Sequence, residues 1–148
     1  MPETLDDDVY QRIRSLIAKG DGLAEAGRTD EAIACYQDGW ALLPEPRWEW
    51  DIGMTLQVAI GDAALKAGEF VKAKGKFITA AMMGGVANGY VQLRLGQTYF
   101  ELGDMEHAAE HLCRAYIAER RRIFEGEDPK YLAFLATVMD PPDGKDSL

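Results

Sequence analysis

Three segments of the sequence repeat one pattern of small and large residues, and this repetition restricts the fold more than any other feature. The segments are GDGLAEAGRTDEAIACYQDGWALLP, GDAALKAGEFVKAKGKFITAAMMGG and GQTYFELGDMEHAAEHLCRAYIAER. The shared positions, in chain order, are Gly20, Gly61 and Gly96; Gly27, Gly68 and Gly103; Ala32, Ala73 and Ala108; Tyr36, Phe77 and Leu112; and Gly39, Ala80 and Ala115. A repeat of this length predicts stacked copies of one supersecondary unit.

Each shared position has a mechanical role in a pair of helices. The first glycine lets two helices approach closely, and the second ends the first helix in the left-handed conformation. The alanine seats the second helix against the first, and the large residue fills the space between them. Pro44 closes the first copy, where its second helix must stop. The pattern therefore predicts three helix-turn-helix units.

This pattern resembles the tetratricopeptide repeat (TPR), a helix-turn-helix unit of about 34 residues. The resemblance implies an all-α fold, a TPR-like right-handed superhelix of three helix-turn-helix repeats plus a C-terminal capping helix. We expect one domain over residues 1–139, with repeats over about 13–44, 47–86 and 88–122 and the capping helix over about 129–139. Residues 140–148 are expected to form a flexible tail.

The stretch between the first two copies is about one heptad longer than the stretch between the last two, and it contains two tryptophans. The extra residues lie within 44–54, so we expect the first helix of the second copy to begin about two turns early. Residues seven apart share a helix face, which places Trp50 over Gln57 in the core and Trp48 over Thr55 at the groove. The alternative is that both rings pack under the extension.

The charge of the chain disfavours several classes of partner. Lys and Arg total 16 against 25 Asp and Glu, which gives a net charge of −9. This balance argues against nucleic acid and anionic membranes, and it favours a basic protein partner unless the acidity serves only solubility. The acidic start MPETLDDDVY lacks the basic region of a signal peptide, and no apolar run reaches membrane-spanning length. We therefore expect a cytoplasmic protein.

Residues with catalytic or metal-binding potential are few. His107 and His111 share a helix face, but a third metal ligand is missing. The run at 120–122, RRR, is expected to be a solvated face or a contact patch, and Cys35 and Cys113 are expected to be small packing residues. We predict a binding protein without cofactor or metal, and not an enzyme.

The resemblance also implies a binding surface, because the first helix of each repeat lines the concave groove in this family. The partner-binding residues that it implies, together with Trp48, are Ile17, Asp21, Glu25, Trp48, Thr55, Val58, Asp62, Leu65, Tyr90, Leu93, Gln97, Phe100 and Glu101. Family members that bind chaperone tails clamp a terminal carboxylate with Lys, Asn and Arg, which are absent from these positions. A co-chaperone role is therefore disfavoured, and the apolar strip edged by acids suits a partner with apolar anchors among Lys or Arg.

Two roles within protein binding remain open. The stretch LRLGQTYFELGDMEHAAEHLCRAYIAERRRIFEGEDPKYLAFL resembles small bacterial TPR proteins found beside polymorphic secreted toxins. That resemblance implies an immunity protein that binds and neutralises a toxin domain, and an acidic groove would suit a basic toxin such as a nuclease. The alternative is a chaperone similar to the small, acidic, three-repeat chaperones of type III secretion, which hold an extended segment of an exported protein.

Overall fold

Helices make up all the regular structure in the computed structural model, which describes residues 4–142 and 146–148. The α-helices are α1 Asp7–Glu25, α2 Thr29–Ala41, α3 Asp51–Lys66, α4 Phe70–Met82, α5 Gly89–Glu101, α6 Met105–Glu119 and α7 Pro129–Val138. Short 3₁₀ segments lie at Arg47–Glu49, Gly85–Ala87 and Arg120–Phe124. The prediction of an all-α fold with three helix pairs and a capping helix is confirmed. Within the described ranges, no helix combines the length and the apolar character that crossing a membrane requires.

Polar side chains fix the starts of several helices. Asp6 Oδ1 accepts hydrogen bonds from the backbone N–H groups of Asp8 and Val9, at 2.9 and 3.3 Å. Asp128 caps α7 in the same way, and Pro129 occupies the first turn, where its missing N–H is not needed. These caps satisfy donors that have no partner within the helix, so α1 and α7 begin where the sequence places them.

The first glycine of each repeat lets a large side chain of the second helix lie directly on the backbone of the first. A Cβ atom placed at these glycines would lie 2.5 Å from the Tyr36 ring at Gly20, 2.7 Å from the Phe77 ring at Gly61, and 2.5 Å from the Leu112 side chain at Gly96. The second glycines have positive φ angles of 78° at Gly27, 80° at Gly68 and 82° at Gly103. The predicted helix pairing is therefore confirmed in all three repeats.

Contacts along the chain divide it into two compact units, with the boundary between Met83 and Gly84. Unit 1, the described residues up to Met83, has a buried apolar cluster that includes Ile13, Tyr36, Leu43, Leu56 and Ile60. Unit 2, from Gly84 on, has a cluster that includes Leu93, Leu112, Tyr116, Phe124 and Leu135. That the chain forms one domain over residues 1–139 stays a prediction, and residues 1–3 of it lie outside the described part.

The first helix of the second copy does not begin two turns early, although the sequence predicts that it does. Helix α3 begins only at Asp51, after the 3₁₀ segment Arg47–Glu49, and Trp50 has an extended backbone. The indole N–H of Trp50 donates to the Pro44 carbonyl oxygen at 2.9 Å, and its ring packs against the unit 1 cluster. Trp48 is 64% exposed. The two rings differ in exposure because both residues lie in the turn before α3 and not on one face of a helix.

The predicted tail contains a buried residue. Leu148 is 8% exposed and belongs to the apolar cluster of unit 2. The Arg121 guanidinium donates from Nη1 to the main-chain oxygen of Leu148 at 2.7 Å. Residues 143–145 of the predicted flexible tail lie outside the described residues. Leu148 itself is packed against unit 2, in contrast to the loose tail that the sequence predicts.

Candidate protein-binding groove

Unit 1 contains a groove between α1 and α3, with α2 beneath it. Its volume is about 370 Å³, within the range of roughly 300–1,000 Å³ for ligand-binding clefts. The side chains that line it are Ile17, Asp21, Ala24, Glu25, Tyr36, Thr55, Val58, Ala59, Asp62, Ala63 and Lys66. The alanines keep the groove open, and the half-buried Ile17 and Val58 give it apolar walls.

The floor of the groove is polar at one point. The hydroxyl of Tyr36 donates to Asp21 Oδ1 at 2.6 Å. Burial raises the pKa of Tyr36 far above its ordinary value, and the hydrogen bond to Asp21 raises it further. Tyr36 is therefore a neutral donor under physiological conditions, and it holds one oxygen of Asp21 while that side chain remains exposed.

The rim of the groove is acidic. Asp21 and Glu25 come from α1, and Asp62 and Lys66 come from α3. Three carboxylates and one ammonium group thus border an apolar channel. A cationic side chain entering this groove would meet opposite charge on both walls, while its aliphatic part would contact Ile17 and Val58.

Most of the residues predicted for unit 1 line this groove. The predicted residues that do so are Ile17, Asp21, Glu25, Thr55, Val58 and Asp62, whereas Leu65 and Trp48 do not. The predicted place of Trp48 above Thr55 fails because α3 begins after it. The sequence reasoning missed the contribution of Tyr36 to the floor. Its hydroxyl was the available signal, since Phe77 and Leu112 at the same repeat position have none.

In unit 2, the predicted binding residues of α5 are engaged by residues later in the chain. Leu93 and Gln97 are each 1% exposed. Glu127 Oε1 accepts hydrogen bonds from Gln97 Nε2 and from Arg94 Nη1, both at 2.6 Å. Arg94 Nη1 also donates to Gln97 Oε1 at 2.8 Å, and its Nε donates to the Tyr90 hydroxyl at 3.0 Å.

The capping helix α7 covers the rest of this face. The ring of Phe100 meets Tyr131 edge-on, with centroids 5.3 Å apart. Glu101 Oε1 accepts from the Tyr131 hydroxyl at 2.7 Å and pairs with Lys130 Nζ at 2.6 Å. The hydrogen bond from Lys130 lowers the pKa of Glu101 below its ordinary value, so the pair is charged at neutral pH.

These contacts correct the prediction for the third repeat. Leu93 and Gln97 are buried and cannot meet a partner, and Phe100 and Glu101 bind the chain's own α7. The physical reason is that the predicted capping helix packs on the groove-facing residues of α5. Among the predicted residues of unit 2, Tyr90 keeps substantial exposure, at 37%.

The two histidines have partners that explain them without a metal. His107 Nδ1 lies 2.7 Å from Asp104 Oδ2, and His111 Nδ1 lies 2.7 Å from Gln92 Oε1. In residues 4–142 and 146–148, no group of three or more His, Cys, Asp or Glu side chains is arranged to hold a metal ion. Cys35 is buried and Cys113 half-buried, both as free thiols.

Comparisons with known proteins agree with this architecture. Residues 90–116 match the sequence profile of the tetratricopeptide repeat. The chain is similar to the first TPR of Spaghetti (RPAP3) bound to the HSP90 peptide SRMEEVD, with 20% identity, coverage of 86% of this chain and 93% of that one, and a TM-score of 0.68. It is also similar to the second TPR domain of human RPAP3 in complex with the HSP70 peptide SGPTIEEVD, with 18% identity, coverage of 90% and 99%, and a TM-score of 0.67.

A third similar structure is that of MamA, with 14% identity, coverage of 84% of this chain and 65% of that one, and a TM-score of 0.67. No curated protein is similar enough to count as a relative of this chain. Likenesses at these identities concern the fold. Residues 90–116 are thus a tetratricopeptide repeat, and the chain has the fold of TPR domains.

Proposed function

We propose that this chain is a protein-binding scaffold that uses the acidic groove of unit 1, and that its partner is a basic, secreted toxin domain which it neutralises in the cytoplasm. The observation that carries the proposal is the groove itself. It is apolar along its walls and has carboxylates from both α1 and α3 at its rim. Such a surface favours a partner that presents Lys or Arg beside an apolar anchor.

The similar solved domains support protein binding, but the peptides that they bind carry negative charge, whereas the groove of unit 1 suits a positively charged partner. The peptides bound to the two RPAP3 domains, SRMEEVD and SGPTIEEVD, both end in two glutamates, a valine and an aspartate. Asp21, Glu25 and Asp62 would repel such acidic ends. The same fold therefore serves, in this chain, a partner of opposite charge.

The test removes charge from the groove without changing its shape. In the double variant Asp21→Asn/Asp62→Asn, the amide oxygen at position 21 can still accept the hydrogen bond from Tyr36. Asp38→Asn/Asp140→Asn is the matched control, because both residues are exposed, lie outside the groove and remove the same charge. Each protein is used as bait in the organism that encodes it, and captured proteins are identified by mass spectrometry.

We expect the unaltered chain and the control to capture the same basic toxin domain, and the groove variant to lose most of it. Co-expression of the chain should then protect cells from that toxin, whereas the groove variant should not. Capture of an unfolded exported segment would instead support the secretion-chaperone hypothesis. Equal capture by both double variants would show that the groove is not the binding surface.

A further inference from the structure

A second groove lies in unit 2, far along the chain from the acidic one. It runs beside α7 and has a volume of about 410 Å³, which is more than twice the roughly 150 Å³ of an engineered apolar cavity that admits benzene. Its apolar surface comes from Phe124, Pro129, Leu132, Ala133 and Ala136. Little polar surface interrupts this lining, so the groove suits an aliphatic side chain.

The chain's own residues 146–148 lie against this groove. Leu148 lines it together with Ser147, and the Leu148 side chain is 8% exposed while Ser147 is exposed. The Arg121 guanidinium, which also lines the groove, donates to the main-chain oxygen of Leu148 at 2.7 Å. Among the described residues, one aliphatic side chain and one main-chain oxygen thus contact the groove.

Within the described part of the chain, regular structure does not hold this segment. Residues 146–148 have no helix or strand hydrogen bonding, and Asp146 and Ser147 are exposed. A segment attached through one side chain can be displaced by another segment that offers the same groups. The groove volume of about 410 Å³ is the space that remains beside Leu148, so a partner can enter before the segment leaves.

We propose that this groove is a second docking site, for an extended protein segment that presents one leucine-sized side chain with its main-chain oxygen free to meet Arg121, and that residues 146–148 are a displaceable strap which covers part of it. The bound partner replaces Leu148 in the apolar cluster and takes over the hydrogen bond of Arg121. Glu125 and Asp128 at the edge of the groove favour a segment that carries Lys or Arg nearby.

The experiment opens the strap and supplies its sequence in trans. Leu148→Asp places a carboxylate where the cluster is apolar, so the strap should leave the groove. Ile117→Asp is the matched control, since it makes the same kind of change at an exposed aliphatic residue that does not line the groove. The probe is a fluorescent peptide with the sequence of residues 140–148, DPPDGKDSL, and its binding to each full-length protein is followed by fluorescence anisotropy.

We expect the Leu148→Asp protein to bind the peptide at least about tenfold more tightly than the unaltered chain, in which the tethered strap competes at high effective concentration. The Ile117→Asp protein should behave like the unaltered chain. A peptide with Asp in place of its leucine should not bind, and Arg121→Gln added to Leu148→Asp should weaken binding.

Circular dichroism establishes whether each variant keeps its helices, and Leu148→Ala, which buries no charge, replaces Leu148→Asp if that protein loses helicity. The proposal is overturned if a folded Leu148 variant binds the peptide no more tightly than the unaltered chain. It is equally overturned if Ile117→Asp gains the same affinity, or if the leucine of the peptide proves unnecessary.

Discussion

At the scale of single residues, a buried glutamine in unit 2 positions the imidazole ring on which Tyr99 stacks. Gln92 is 2% exposed, and its Nε2 donates to the Val86 carbonyl oxygen at 2.8 Å. Its Oε1 therefore faces His111, which must donate from Nδ1. The Tyr99 ring stacks on His111 at a centroid distance of 5.4 Å and on His107 at 4.9 Å. The glutamine thus fixes the tautomer and the position of the stacked imidazole.

His111 should make the stability of the chain depend on pH. Burial lowers the pKa of His111 below its ordinary value of 6.5, with neighbouring Arg114 and His107 adding to this and Glu110 opposing it. The unfolded chain then takes up the proton first, so stability is complete above about pH 6.5 and falls as the pH drops through the folded pKa. Between about pH 7.5 and 5.5, we expect the free energy of unfolding in urea to lose at most about 1.4 kcal/mol per pH unit from this group.

The variant His111→Gln should flatten this pH dependence, because the titrating group is gone. His107→Gln serves as its control, since His107 is exposed and pairs with Asp104 at the surface. An unchanged slope in His111→Gln would assign the pH dependence to other groups.

Two glutamines at the same repeat position should respond in opposite ways to replacement by leucine. Gln57 Oε1 is buried without a hydrogen-bond partner among the described residues, so we expect Gln57→Leu to raise the free energy of unfolding by about 1 kcal/mol. Gln92→Leu should lower the free energy of unfolding by about 1–3 kcal/mol, because it removes the hydrogen-bond partner of His111 and of the Val86 carbonyl. Urea titrations of both variants at neutral pH measure the difference, and destabilisation by both would contradict the distinction.

At the scale of helices, two glycines of α1 have different roles: close packing requires one of them, whereas the other only lowers helix propensity. Gly20 faces the Tyr36 ring, and a Cβ there would lie 2.5 Å from it, whereas a Cβ at Gly22 would meet nothing within 4 Å. Gly20→Ala should cost about 1–3 kcal/mol through overpacking. Gly22→Ala should stabilise by up to about 1 kcal/mol, since alanine is the better helix former. Thermal melts followed by circular dichroism test both, and a stable Gly20→Ala protein would mean that α1 and α2 can separate at little cost.

The sequence predicts helix pairs well and the contacts of α7 poorly, for a physical reason. Pairing within a repeat depends on local positions such as Gly20 and Tyr36, which the sequence shows directly. The engagement of α5 depends on Glu127 meeting Arg94 and Gln97 across about thirty residues, and no local pattern encodes such a contact. The same limit explains why Leu93 was predicted to face a partner and is buried. The start of α3 was missed because a turn with its own hydrogen bonds replaced the expected helix.

At the scale of the whole molecule, the net charge of the chain and the groove of unit 1 contribute to binding in different ways. The net charge of −9 acts over a distance and guides any basic partner toward the surface. The carboxylates at the rim of the unit 1 groove share in this attraction and also act after contact, when Asp21 and Asp62 are desolvated against the partner. Long-range attraction raises the association rate, whereas short-range contacts slow dissociation.

This difference predicts how salt and mutation change the kinetics of binding to the captured basic partner. Raising the ionic strength from about 0.01 M to 0.5 M shortens the Debye length from about 30 Å to a few ångströms, so we expect the association rate constant to fall at least about tenfold. Surface plasmon resonance should show similar, small losses of association rate for Asp38→Asn/Asp140→Asn and Asp21→Asn/Asp62→Asn, because both remove two charges. Only the second pair should speed dissociation, since only it removes contacts inside the groove. If the two double variants dissociate at equal rates, Asp21 and Asp62 contribute to binding only through their charge. The partner then binds elsewhere on the surface.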